Sequence, residues 1–253
     1  MTQTIQTNFK RIETKYILSQ QQLKALLVDL APYLREDEFP TSTISNLYFD
    51  TPDFDVIKDA LDKKHRREKI RMRSYLQAPA NDSQAFLEIK QKDAEGVGHK
   101  YRLVSNPVAI TRLLTQGKGH SSIVDHNLVN EVHALRDRYE NLEPRIYIYY
   151  DRYSLKQRKG LEDKVRITFD RSLRYRDEDL TLTAGNHGKP LLEDDQIIME
   201  IKAAADKPTW LQDILDRHGL VQMKFSKYAA AYHKSQGLFY QPRASHNLES
   251  QGV

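Results

Sequence analysis

Charged and apolar residues alternate one for one in at least six short stretches of this chain. An alternation of period two is what a β-strand with two unlike faces produces. The first stretch is Arg11-Ile12-Glu13-Thr14-Lys15-Tyr16-Ile17, followed by Lys69-Ile70-Arg71-Met72-Arg73 and Phe86-Leu87-Glu88-Ile89-Lys90. Arg145 to Arg152, Lys164 to Asp170 and Ile197 to Lys202 repeat the pattern. Residues 44–49 and 100–104 also read as strands, which brings the expected number to about eight, with turn signals such as Asp50-Thr51-Pro52-Asp53 and Gly96-Val97-Gly98 near their ends.

Helical patterns fall between the strands at irregular intervals. Ser19 is placed to cap a helix bearing Leu23, Leu26, Leu27 and Leu30. Thr51-Pro52-Asp53 predicts a cap with Pro at the first helical position, ahead of Phe54, Ile57 and Leu61. A longer helix is expected over 122–139, one more around Trp210 to Leu215, and a last one over 227–236 capped by Ser226. A doubly wound parallel sheet would place a helix after every strand, and this chain does not. The expected class is α+β: an eight-stranded antiparallel β-barrel with helices packed outside it. With neither an internal repeat nor a linker, residues 1–240 read as one domain and 241–253 as a loose tail.

Which way the charged faces point decides what such a barrel does. In an ordinary half-buried strand the charged face meets water. Here, however, Arg and Lys dominate with one Glu beside them in several strands, whereas a solvated face usually mixes signs. The opposite faces carry Ile70 and Met72, Leu87 and Ile89, Val165, Ile167 and Phe169, and Ile197, Met199 and Ile201, well suited to lie under amphipathic helices. If helices cover the outside, the cations converge inside a barrel of a size whose interior side chains fill or one small ligand occupies. Close cations repel by several kcal/mol at an effective dielectric of ~20, so such a lumen requires a polyanion. The planar fork of Arg suits phosphate. Glu13, Glu88 and Glu200 are hard oxygen donors of the kind Mg²⁺ or Mn²⁺ takes beside phosphates.

Other classes are less well served. The chain has no Cys, so disulfides and thiolate metal sites are excluded. The N-terminal residues have no apolar signal-peptide core, and no 18-residue apolar run exists, so the expectation is a cytoplasmic protein without a membrane span. The basic run Lys63-Lys64-His65-Arg66-Arg67 reads as solvated surface or as a guide for polyanions, and no nucleic-acid recognition signature accompanies it. The nine histidines show no metal-ligand spacing, and Gly117-Lys118-Gly119-His120-Ser121 lacks the strand and first Gly of a P-loop.

Arg11-x-Glu13-x-Lys15-Tyr16, Ser45 to Thr51 and Arg71-x-Arg73-x-Tyr75 resemble the VTC domain, the polyphosphate-polymerase branch of the triphosphate tunnel metalloenzymes, or CYTH-like superfamily. Phe86 to Lys90, Tyr150-Asp151-Arg152, Val165-Arg166-Ile167, Met199 to Lys202 and Lys224 to Tyr228 continue the likeness in order, up to about residue 236. The resemblance implies a charged tunnel in which the γ-phosphate of ATP passes to a polyphosphate chain with Mn²⁺ or Mg²⁺. It implies that Lys15, Arg71, Arg73, Lys90, Arg152, Arg166 and Lys227 form the catalytic phosphate-binding set. Tyr150, Lys100, Lys224 and Arg11 would contact substrate, and Glu200 would hold the metal, with Glu13 and Glu88 as further candidate ligands. Arg11 stands where the wider superfamily opens with Glu, a departure that favours the polymerase branch over the hydrolytic ones. A triphosphatase using the same tunnel and a non-catalytic polyphosphate-binding module are the alternatives. The inositol-phosphate-sensing domain and membrane segment of eukaryotic relatives have no counterpart here, so polymer translocation is not expected of this chain alone.

Overall fold

The computed structural model describes residues 12–64, 67–93, 98–123, 125–161, 164–204 and 206–245. Along the chain these form β1 (Ile12–Ser19), α1 (Gln20–Leu30), β2 (Leu34–Asp50), α2 (Asp55–Leu61), β3 (Arg67–Ser74), β4 (Ala85–Lys92) and β5 (Gly98–Ser105). Then come α3 (Pro107–Gln116), α4 (His126–Arg138), β6 (Glu143–Gln157), β7 (Arg166–Arg176), β8 (Lys189–Pro190), β9 (Gln196–Ala203), α5 (Thr209–Arg217), β10 (Met223–Lys224), α6 (Lys227–Ser235) and β11 (Arg243–Ala244). One antiparallel sheet of nine strands runs β1-β9-β7-β6-β2-β3-β4-β5, with the short β8 on β7. The eight expected strands are its main path. Among the described residues no ladder joins β5 back to β1, so the sheet rolls up with an open seam between those two edges.

The outward face is the apolar one. Ile197, Met199 and Ile201 of β9 and Ile167 and Phe169 of β7 pack under Leu23, Leu26 and Leu30 of α1 and Leu211 and Ile214 of α5. Ile70, Met72, Leu87 and Ile89 of β3 and β4 pack under Ile110, Leu113 and Leu114 of α3 and Leu128, Val132 and Leu135 of α4. Each fully buried Leu or Ile contributes about 1.5–3 kcal/mol, so these two layers clamp the roll from outside.

The helix ends follow local chemistry. Ser19 and Gln22 form a reciprocal capping box, Gln22 N–H donating to Ser19 Oγ at 3.2 Å and Ser19 N–H to Gln22 Oε1 at 2.9 Å. Asp125 caps α4, and this shortens the helix expected over 122–139. Helix α3 went unforeseen, although Asn106 caps it, Pro107 opens it and Gly117, at φ 68°, closes it. Helix α2 starts later than its Thr51-Pro52 signal, after Phe54 at φ 62°. The buried Asp50 carboxylate accepts the N–H groups of Val56 and Ile57, and so supplies the cap from before the turn.

Helix α6 departs from the picture of helices outside a barrel. Its Tyr228, Ala231 and Tyr232 pack on Ile44, Tyr48, Ile146, Ile148 and Ile198. These residues share a strand face with the cations, because Tyr48 pairs with Arg71 and Ile148 lies two residues from Tyr150. Stacking of Tyr48 on Tyr228, with ring centroids 4.4 Å apart, anchors α6 there. The inner face is therefore half charged and half apolar, and α6 covers the apolar half. The segment expected as a loose tail begins with a paired strand: Met223 and Lys224 of β10 face Ala244 and Arg243 of β11. Residues beyond 245 lie outside the described part.

Candidate functional site

Strand register alone brings the alternating charges onto one face. Lys15 pairs with Glu200 and Glu13 with Lys202 across β1 and β9. Arg152 pairs with Asp170 across β6 and β7. Arg71 pairs with Tyr48 on one side and with Glu88 on the other. Residues directly opposite in antiparallel strands project to the same side, so one alternation per strand becomes one charged wall. The roll then forms a partly open cavity of about 160 Å³. Eight cations line it, Lys15, Lys69, Arg71, Arg73, Lys90, Arg152, Lys202 and Lys227, against Glu13, Glu88 and Glu200, and with Asp170 behind Arg152 and Lys227 the excess is four positive charges.

On the wall of β6, β7 and β9, cations and carboxylates are closely matched. Asp170, fully buried, accepts from Arg152 Nε at 2.6 Å and Nη2 at 2.8 Å. Lys227 Nζ lies 2.6 Å from Asp170 and 3.2 Å from Glu200. Ser226 sets Lys227 at the first position of α6, its Oγ accepting from Ala229 N–H. Burial alone would raise the Glu200 pKa, but the charges of Lys227, Lys15 and Arg152 hold it well below the usual carboxylate range. Burial would likewise lower Lys227, and Asp170 and Glu200 outweigh it and raise it. Glu13, at the β1 edge, sits 2.6 Å from Lys15 and 3.6 Å from Lys202.

The facing wall, β3 and β4, has one carboxylate for several cations. Arg71 donates from Nε and Nη2 to Glu88 Oε2 at 2.8 and 2.6 Å. Lys100 and Arg102 approach the other oxygen at 3.5 and 3.6 Å. Burial would raise Glu88, yet Arg71 and Arg73 hold it at about 2. Arg73 is fixed by neutral partners, donating to Asn46 Oδ1 at 2.8 Å and to the Tyr150 hydroxyl at 3.3 Å. Lys69 donates to Ser226 Oγ at 2.9 Å, and its pKa is pushed down by burial, with Lys15, Lys90 and Arg71 adding to the effect against the opposing charge of Tyr48. Lys90 is lowered by desolvation first and by Arg71 next. Among the described residues, neither Lys69 nor Lys90 has a carboxylate partner.

Of the residues singled out in the sequence, Lys15, Arg71, Arg73, Lys90, Arg152, Lys227, Tyr150, Glu13, Glu88 and Glu200 converge on this cavity. Arg166 does not. It lies outside the cavity, 2.8 Å from Asp37, at the rim of a wider mouth of about 950 Å³. Lys100 is half exposed at a second opening on the seam side, and Lys224 is exposed beside the β10–β11 pair. Arg11 lies outside the described residues. The sequence reading missed Lys69 and Lys202, each two residues from a residue it chose, and Asp170, the hub of the paired wall. All three were legible as the next beat of an alternation already recognised. The run Lys63 to Arg67 includes two residues outside the described part, and Lys64 pairs with Asp59 at 2.6 Å.

Among the described residues no three His, Asp or Glu side chains converge as a metal cluster, and no helix is long and apolar enough to cross a membrane.

A family model described as VTC domain matches residues 10–236. Among solved structures, a candidate adenylate cyclase from Bacillus halodurans is 15% identical, with a TM-score of 0.50 over 85% of this chain and 93% of that one. At this identity the likeness is one of fold. A candidate adenylyl cyclase from Hippeastrum, described as having a dominant triphosphatase activity, is 15% identical with a TM-score of 0.47 over 91% of this chain and 97% of that one. No match was found among curated proteins.

Proposed function

We propose that this chain, which belongs to the VTC domain family, is a triphosphate-tunnel phosphotransferase passing the γ-phosphoryl group of ATP to the end of a polyphosphate chain. The single observation that carries this reading is the excess of positive charge around one cavity, where, among the described residues, Lys69 and Lys90 have no carboxylate partner. A ligand with several closely spaced negative charges is what neutralises such a wall.

In the reaction the bond between the γ-phosphorus and the β,γ-bridging oxygen breaks, ADP leaves with that oxygen, and a terminal oxygen of the acceptor chain bonds to phosphorus. Arg71, Arg73 and Arg152 donate paired N–H groups to phosphate oxygens. Lys15, Lys90 and Lys227 neutralise charge as it redistributes. The acceptor oxygen is already anionic, so no general base is needed. The work is alignment.

The donor chemistry suits a divalent ion. Glu200 and Glu13 offer only hard oxygen atoms, and they lie diagonally across β1 and β9, where Glu200 bears on the Glu13 charge. Among the described residues no third carboxylate or His joins them as a cluster, so Mg²⁺ or Mn²⁺ would be held by Glu200 and Glu13 together with phosphate oxygens, a mode that Mg²⁺ favours. Bound there, the ion supplies charge neutralisation on the reacting phosphoryl group. Glu88, held by Arg71 and approached by Lys100 and Arg102, serves instead as a counter-ion.

Incubation with ATP and Mn²⁺ or Mg²⁺, followed by gel separation, tests the reading. Long polyphosphate is the expected product. Orthophosphate without polymer would indicate the triphosphatase alternative, and unchanged ATP would indicate a binding module.

A further inference from the structure

Two of the openings beside the cavity have unlike linings. The seam-side opening shares Lys69 and Lys90 with the cavity and adds Arg67, Lys92 and Lys100, and no Phe, Tyr or Trp lines it among the described residues. The wide mouth shares Arg152 with the cavity and is lined by Phe39, Tyr75, Leu76, Phe86 and Arg102. Several of these apolar side chains face water: Phe39 is 73% exposed, Leu76 44% and Tyr75 39%. Scattered exposed apolar residues need no explanation, but a cluster inside one concavity marks a binding site.

The local structure holds the rings in place. The β2–β6 register breaks between Glu36 and Thr41, and Phe39 lies in that irregular stretch. Tyr75 meets Phe86 edge-on, with centroids 5.5 Å apart, and Arg102 lies over the Phe86 ring at 4.0 Å. The phosphate-facing residues reach the same rings: Arg73 donates to the Tyr75 hydroxyl at 3.4 Å. An aromatic platform thus begins where the cationic channel ends.

We infer that this mouth is the nucleoside site: the base of the nucleoside triphosphate stacks on Tyr75, Phe86 and Phe39 while its phosphates extend inward past Arg152. This rests on the phosphotransferase reading and adds which end of the substrate enters last. Aromatic rings accept any base face, so a modest preference among nucleotides is expected, together with a clear preference for a nucleotide over a bare triphosphate.

The test is calorimetric titration of the full chain with ATP and, separately, with inorganic tripolyphosphate. The joint substitution Phe39→Ala and Tyr75→Ala is expected to weaken ATP binding about tenfold and leave tripolyphosphate within about twofold. Tyr75→Phe keeps the ring and is expected to retain ATP affinity. Equal weakening of both ligands by the double substitution, or no change in either, overturns the nucleoside site while leaving the tunnel reading intact. Failure of the unsubstituted protein to bind either anion overturns both.

Discussion

On the wall built from β6, β7 and β9, Arg152 and Lys227 each rest on Asp170 and neighbour Glu200. On the wall built from β3 and β4, Lys69 faces Lys15, Lys90 and Arg71, and Lys90 faces Arg71, Lys202 and Lys100 with only the charge of Glu13 opposing them. The same alternation of charged and apolar residues builds both, so the difference lies in which charges stand opposite one another in the register. The paired wall supports itself without ligand, and its ions are worth more to stability than to affinity. The unpaired wall is destabilising until an anion arrives, and its residues should show the reverse balance.

The largest expected effect falls on the paired wall. Asp170→Ala leaves two buried cations without their partner and is expected to cost about 3–5 kcal/mol in urea unfolding. A cost under about 1 kcal/mol would mean the wall is not self-neutralised. Next, Arg71→Ala removes a charge-assisted pair of donors and should weaken tripolyphosphate binding by about 2–3 kcal/mol in titration. Because Glu88 loses its partner as well, the substitution is expected to destabilise the fold, and adding Glu88→Gln should restore much of the stability but not the affinity. Glu200→Gln is expected to abolish stimulation of turnover by Mn²⁺ while tripolyphosphate affinity stays within about threefold. Full metal-stimulated activity in that variant would remove Glu200 from the metal site.

Smaller effects sharpen the contrast from the other wall. Lys69→Met is expected to stabilise the free protein by about 1 kcal/mol and to weaken tripolyphosphate about tenfold. A loss of stability would place Lys69 among structural residues. The pH dependence follows from the lowered pKa of the folded-state Lys69. Between that value and the ordinary 10.5, the unfolded chain holds a proton that the folded one does not, so rising pH favours folding. Wild type should therefore gain stability relative to Lys69→Met as pH climbs through this window, and saturating tripolyphosphate should remove the gain. Glu88 acts at the acid end. Its folded pKa of about 2 means that its contribution is present above 4.5 and is lost as pH falls toward 2.

Most of the inner wall was legible before any fold, because period two is a property of neighbouring residues. Arg71 and Arg73, or Glu88 and Lys90, must share a face in any strand. Capping was similarly local, as Ser19 and Ser226 show. The misreadings arose where a partner distant in sequence intervened. Asp50 displaced the start of α2, and α6 went to the inner face because Tyr48 and the isoleucines of β6 and β9 offered it an apolar bed. Arg166, expected among the tunnel residues, stands at the mouth for a related reason. It shares a face with Asp170, but it is the first residue of β7, at the end of the strand, where Asp37 takes it.

The sequence by itself determined that this chain makes antiparallel strands with one cationic face and one oily face, since alternation needs no tertiary context. Which cations meet carboxylates and which are left for a ligand was decided only when β1, β9, β7 and β6 came into register and α6 brought Lys227 against Asp170. Charge is written residue by residue, but its compensation depends on distances of a few ångströms between residues far apart in the chain, and the Coulomb energy follows those distances.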